Sequence, residues 1–125
     1  DSRLAGARGL MSTRFTAVLD ALTRQRGVRL SMMVDAADGI AIDSNLQFGQ
    51  DGQRVAALAA SLYRKARQSA LAAGLGSTGF MQMEAESGRL CILGGDELVL
   101  VVVAERDANV GLIRMNMRRS AETLA

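Results

Sequence analysis

The chain has 125 residues, 49% apolar and 3% aromatic, with 15 basic side chains against 13 acidic ones. That length and apolar share suit one domain with a buried core and argue against disorder. A net charge of +2 and the lack of any Trp supply neither the basic stripe nor the stacking platform that nucleic-acid readers concentrate.

Without His there is no Ser–His or Cys–His nucleophile pair and no imidazole ligand, and one Cys allows neither an internal disulfide nor a thiolate metal cluster. The opening DSRLAGARGL lacks the apolar stretch of a signal peptide. No apolar run approaches the ~18–20 residues of a membrane span. Residues 1–10 are read as an N-terminal tail, native or left by expression, and 11–125 as a single domain. These features point to a cytoplasmic protein with no membrane partner and no cofactor.

The first element is a helix over 13–26. Phe15, Val18, Leu19 and Leu22 recur at helical spacing, Ser12 or Thr13 can cap it, and Gly27 can stop it. VRLSMMV then alternates as a half-buried strand, with Val28, Leu30, Met32 and Val34 on one side. DAADG supplies a turn in which Gly39 takes the positive φ, and IAIDS returns as the second strand of a hairpin. NLQFGQDG, residues 45–52, reads as a loop ending in Asp51, the expected cap of the longest helix.

That helix runs from Gln53 to Ala73, is rich in Ala, and is closed by Gly74. On a helical wheel Val55, Ala59, Leu62, Ala66 and Ala73 share one face, with Leu58 and Ser69 beside it, and this face is expected on the sheet. A second stripe holds Ala56, Ala60 and Leu71, flanked by Arg64 and Arg67. Either Ala was used there for helix propensity alone, or the stripe admits another helix at close range with arginines at its rim.

Three strands follow, Thr78 to Ala85, RLCILG and ELVLVVVAE, joined by turns at Ser87-Gly88 and Gly94-Gly95-Asp96. The unbroken apolar run Leu98 to Val103 predicts a central strand buried on both faces. Cys91, between Leu90 and Ile92, reads as a small core residue. In RDANVGLIRMNMRR, a strand template fails after Met117, whereas positions 110, 113, 117, 121 and 124 give an apolar helical face of ~four turns. Asp107 or Asn109 caps this last helix, and Arg114, Arg118 and Arg119 form its solvated side. The order α-β-β-α-β-β-β-α predicts an α+β fold with a five-stranded antiparallel sheet.

Two other patterns carry no chemistry. Asp35, Asp38 and Asp43 cluster around the first hairpin, where turn chemistry explains them better than a metal or base role. GGDE at 94–97 is similar to a cyclase signature, but Leu98 follows where that signature has an aromatic, and a hairpin turn accounts for it.

Five blocks in order then carry a resemblance: a helix ending in Gly27-Val28, MVDAADGIAIDS, VAALAASLYRKA, the E-x-x-x-G-R-L run from Glu84 to Leu90, and ELVLVVVAERDANVGLIRMNMRR. Together they resemble the Roadblock/dynein light-chain domain, in particular the bacterial regulators of small Ras-like GTPases, from about Phe15 to Ala121. DAADG is a residue longer than the D-x-D-G turn expected there. The resemblance implies a Roadblock/profilin-like layer of five strands between the long helix and the terminal helices.

It also implies a homodimer formed through the long helix and the third strand. Ala56, Ala60, Arg64, Arg67, Leu71, Met81 and Met83 are the candidate dimer or partner interface. The implied partner is a small Ras-like GTPase. With GxxxxGK[ST] absent from this chain, the GTPase is not the chain itself. Arg64 and Arg67 are candidates for an arginine supplied in trans, with ordinary surface arginines as the alternative. An adaptor without any effect on GTP hydrolysis fits every one of the same residues.

Overall fold

The computed structural model describes residues 15–46 and 51–124. The proposed tail at 1–10, the first helix's cap and residues 47–50 of the 45–52 loop lie outside the described residues. Eight elements follow one another: α1 (15–23), β1 (Val28–Asp35), β2 (Ala41–Leu46), α2 (Gly52–Ala72), β3 (Phe80–Ala85), β4 (Gly88–Leu93), β5 (Leu98–Ala104) and α3 (Val110–Leu124). The strands form one antiparallel sheet in the order β2-β1-β5-β4-β3. The apolar run Leu98 to Val103 therefore sits in the middle of the sheet, between β1 and β4, as its composition predicts.

Strand alternation deals the side chains to two cores. Met33, Cys91, Leu93, Leu100 and Val102 point to the layer of α1 and α3, where Leu19, Leu22, Ile113 and Met117 cover them. Leu30, Met32, Val34, Ile92, Val99 and Val101 point to α2, where Ala56, Ala59, Ala60 and Tyr63 lie on them. Among the described residues, Ser31 is the buried polar one. Its hydroxyl donates to the Leu19 carbonyl at 2.9 Å and shares a 2.8 Å hydrogen bond with Thr23, so its desolvation is compensated.

The punctuation is local. Asp51 accepts a hydrogen bond from the Arg54 N–H at 3.1 Å and caps α2. At the other end Gly74 adopts φ 76°, its N–H bonds the Leu71 carbonyl, and the Leu75 N–H reaches back to the Ala70 carbonyl at 2.8 Å. That is a Schellman closure, which needs a left-handed residue. Asn109, rather than Asp107, caps α3 through the Leu112 N–H at 3.0 Å. Gly39, at φ 69°, also lets the hairpin turn approach α2, since a Cβ there would stand 3.2 Å from the Ala57 Cα.

Three expectations shift. β2 continues to Leu46, because Asn45 pairs with Ser31 in the ladder and its side-chain amide bonds Asp20 on α1. β3 starts at Phe80, since the Thr78 carbonyl instead accepts from the Tyr63 hydroxyl at 3.4 Å. Arg114 is not simply solvated: its guanidinium lies over the Phe80 ring, 5.0 Å from the centroid. Among the described residues, no helix is long and apolar enough to cross a membrane.

Candidate interaction surface

The long helix is rotated on the sheet relative to the face chosen from its large aliphatics. Its buried residues are Gly52, Ala56, Ala59, Ala60 and Tyr63. Ala56 and Ala60, expected on a spare outward stripe, are fully buried against the sheet, so within the chain they are not available to a partner helix. Small side chains let α2 lie close to the sheet, and the contact is made by the alanines rather than by leucines.

Polar contacts fix the direction of that rotation. The Gln53 side chain donates to the Gly39 carbonyl at 3.0 Å, and Arg64 donates to the carbonyls of Ala36 and Ala37 at 2.6 and 3.0 Å. This flank leans over the β1–β2 hairpin. At 100° per residue the opposite flank carries Val55, Leu58 and Leu62 and turns toward β4 and β3. Val55 and Leu62 are half-buried, and Leu58 is 59% exposed.

Beneath that flank the sheet is incompletely covered. Met81 pairs with Ile92 and Met83 with Leu90, which places both methionines on the α2 side of the sheet. Met81 and Leu90 are half-buried, and Met83 is 43% exposed. β3 is also an edge strand, with one row of backbone donors and acceptors unpaired by the sheet. The result is an apolar shelf, bounded by the outer flank of α2 and ending at an open strand edge. Met81 and Met83 lie on it. Leu58, Leu62 and Leu90 were not among the sequence-derived candidates, although the excess of leucines over what an alanine-based contact requires is a signal for the first two.

The remaining candidates lie elsewhere. Leu71 is 56% exposed near the C-terminal end of α2. Arg67 is exposed and lines a cleft of about 490 Å³ with Asp35, Asp38, Asp96, Glu97 and the hairpin-bound Arg64. Asp35 spends its carboxylate on the turn, accepting from the N–H groups of Ala37 and Asp38 at 2.9 and 3.0 Å. Asp43 accepts from the Thr16 hydroxyl at 2.8 Å. These are turn and packing contacts, and among the described residues no group of His, Cys, Asp or Glu is arranged to hold a metal ion. Cys91 is fully buried. Burial pushes its thiol up from the ordinary value, against an opposing effect of Arg89, so the group is held in its unreactive form.

Known proteins share this architecture. The family model for the Roadblock/LC7 domain matches residues 15–104. The uncharacterized protein MJ1340 of Methanocaldococcus jannaschii is 34% identical over 107 residues, covering 86% of this chain and 93% of its own length. The solved structure of Myxococcus xanthus MglB aligns with a TM-score of 0.81 at 25% identity, over 90% of this chain and 85% of that one. A structure described as MglB with a tetrameric arrangement aligns with a TM-score of 0.81 at 22% identity, over 92% of this chain and 88% of that one.

Proposed function

The chain belongs to the Roadblock/LC7 domain family, and from that premise we propose that it is a non-enzymatic, homodimeric regulator of a small Ras-like GTPase. The observation that carries the reading is the uncovered shelf of Met81, Met83 and Leu90 beside the outer flank of α2. A second copy related by a two-fold axis would set its own α2 flank on this shelf. Its β3 edge would pair with the first, extending the sheet across both copies. Leu58 and Leu62 join Met81 and Met83 in that interface, whereas Arg67 and Leu71 lie on the other, hairpin-side flank of α2, outside it. Ala56 and Ala60 support it from beneath by setting the height of α2.

The GTPase assignment rests on the resemblance to bacterial regulators of Ras-like GTPases and on the absence of a P-loop in this sequence. Arg64 is engaged by its own hairpin turn, which leaves Arg67 as the better-placed arginine to reach a bound nucleotide. A regulator that works by reshaping the GTPase's loops needs no such arginine. A protein of this kind works in the cytoplasm.

Light scattering is expected to give twice the chain mass. GTP turnover or nucleotide exchange of the cognate GTPase is expected to change when this protein is added. Binding to the GTPase with no effect on either rate would instead make it an adaptor, and a strict monomer without GTPase binding would end the proposal.

A further inference from the structure

The opposite face of the molecule carries a second concave feature, a groove between α1 and α3 of about 520 Å³. Its α1 wall includes Ala17, Val18 and Ala21, and its α3 wall includes Asn116, Ser120 and Thr123. Its charged lining residues are Arg24 and Arg119; in the adjoining positions Arg26 and Arg118 stand exposed, as does one acid, Glu122. The acid of α1, Asp20, is taken by the Asn45 side chain. At Gln25 the groove meets a second recess of about 560 Å³ that includes Leu112, itself 42% exposed. This recess is lined by Arg26 together with Glu105 and Asp107, so the excess of positive charge belongs to the groove between the helices and not to the recess. The Gln25 Oε1 is buried there without a protein donor among the described residues.

We propose that this groove receives an acidic amphipathic α-helix from a partner protein. A trough between two helices, with small and apolar side chains in its walls, suits the ridge of a third helix. Arginines on both walls select a helix whose flanks carry Asp and Glu, and like charges are penalised there.

The same charge argument disfavours the nearer occupants. The chain's own first 14 residues carry Arg3, Arg8 and Arg14 against Asp1. A second copy would present the same arginines. A flat anionic bilayer would meet the rim but not the floor. The groove lies across the sheet from the α2–β3 shelf, so the inference stands whether or not the chain dimerises there.

The test is fluorescence anisotropy with a labelled synthetic helix of about four turns, leucines on one face and glutamates on the other, beside the same helix with lysines replacing glutamates. The glutamate helix is expected to bind at least about tenfold more tightly. Arg119→Glu, at an exposed position, should weaken it about threefold to tenfold while leaving the unfolding midpoint unchanged. Ala21→Arg separates shape from charge. It fills the groove while adding a positive charge, so it should weaken binding; tighter binding would mean charge alone was at work and would overturn the proposal. No binding, or equal binding of the two helices, would overturn it as well. So would phosphatidylglycerol vesicles binding with the same sensitivity to both substitutions, or self-association abolished by Arg119→Glu.

Discussion

The two helical layers cover the same sheet by different means. On one side α1 and α3 press bulky side chains onto it, with Leu19, Ile113 and Met117 almost wholly buried. On the other a single helix lies mainly on alanines: Ala56, Ala59 and Ala60 are equally inaccessible but contribute only methyl groups, and Tyr63 is its one bulky buried side chain. Two helices with large side chains span the width of a five-stranded sheet, whereas one helix held close by alanines does not. The first face buries its central residues within the chain. It stays open at a recess of about 480 Å³ beside Phe15, Leu98 and Leu124 and at the groove between its helices. The second stops short of its β3 edge and leaves methionines at the surface. Two of the three leucines of α2, Leu58 and Leu62, are turned to that unfinished side.

The comparison breaks first if the more heavily packed face is not where stability resides. Leu19→Ala and Ile113→Ala each remove a buried aliphatic side chain and should cost about 2–5 kcal/mol, read as a drop in the urea midpoint at constant m-value. A loss comparable to that of an exposed substitution would mean that α1 and α3 are not packed as described. Next is the alanine contact. Ala60→Leu forces extra methylenes between α2 and the sheet and should cost about 1–3 kcal/mol. If Ala60 instead faced outward, the substitution would leave folding unchanged and act only on association, so the two readings give opposite results in one measurement.

The unfinished face responds differently. Met83→Glu puts a charge on the exposed shelf, where folding stability of the separated chain should move by no more than about 0.5 kcal/mol. Association of two copies should weaken at least about tenfold, because a carboxylate would be desolvated in their contact. Light scattering across a dilution series reads this directly. A Met83→Glu chain that associates like the wild type would move the dimer surface away from β3.

Most of the fold was legible in the sequence, because periodicity and turn residues are local signals. Gly39, Gly74, Asp51 and the alternatives at 107 and 109 gave the element boundaries, and the apolar run Leu98 to Val103 gave the central strand. The rotation of α2 was not legible. A wheel ranks faces by hydrophobicity, so it set Val55, Ala59, Leu62, Ala66 and Ala73 on the sheet, and of these only Ala59 is fully buried. The buried face was chosen instead by close approach, which favours Ala, together with the reach of Gln53 and Arg64 to hairpin carbonyls far away in sequence. The same limitation hid Arg114 above Phe80 and the extension of β2 through Asn45, both of which depend on contacts between separate elements. For the candidate surface, Met81 and Met83 could be named from the strand, but Leu58, Leu62 and Leu90 required the helix orientation first.

The smallest effect distinguishes the ends of the two neighbouring strands β1 and β5. Arg29 and Glu105 meet there at 2.7 Å, both partly open to solvent. The hydrogen bond from Arg29 holds the Glu105 carboxyl below its ordinary value of 4.5, with desolvation opposing and the charge of Arg29 assisting. Arg29 is itself pushed up by the same bond and stays charged throughout the range. Because the folded carboxyl binds a proton less readily than the unfolded one, the pair's stabilisation is fully present above 4.5. It is lost as pH falls through the lower folded value. Solvent and salt screen so exposed a pair, so its contribution is small. Glu105→Gln should therefore lower the urea midpoint slightly at neutral pH and by less as the medium is acidified below 4.5. A deficit of constant size across that range would assign the loss to packing of the side chain rather than to its charge.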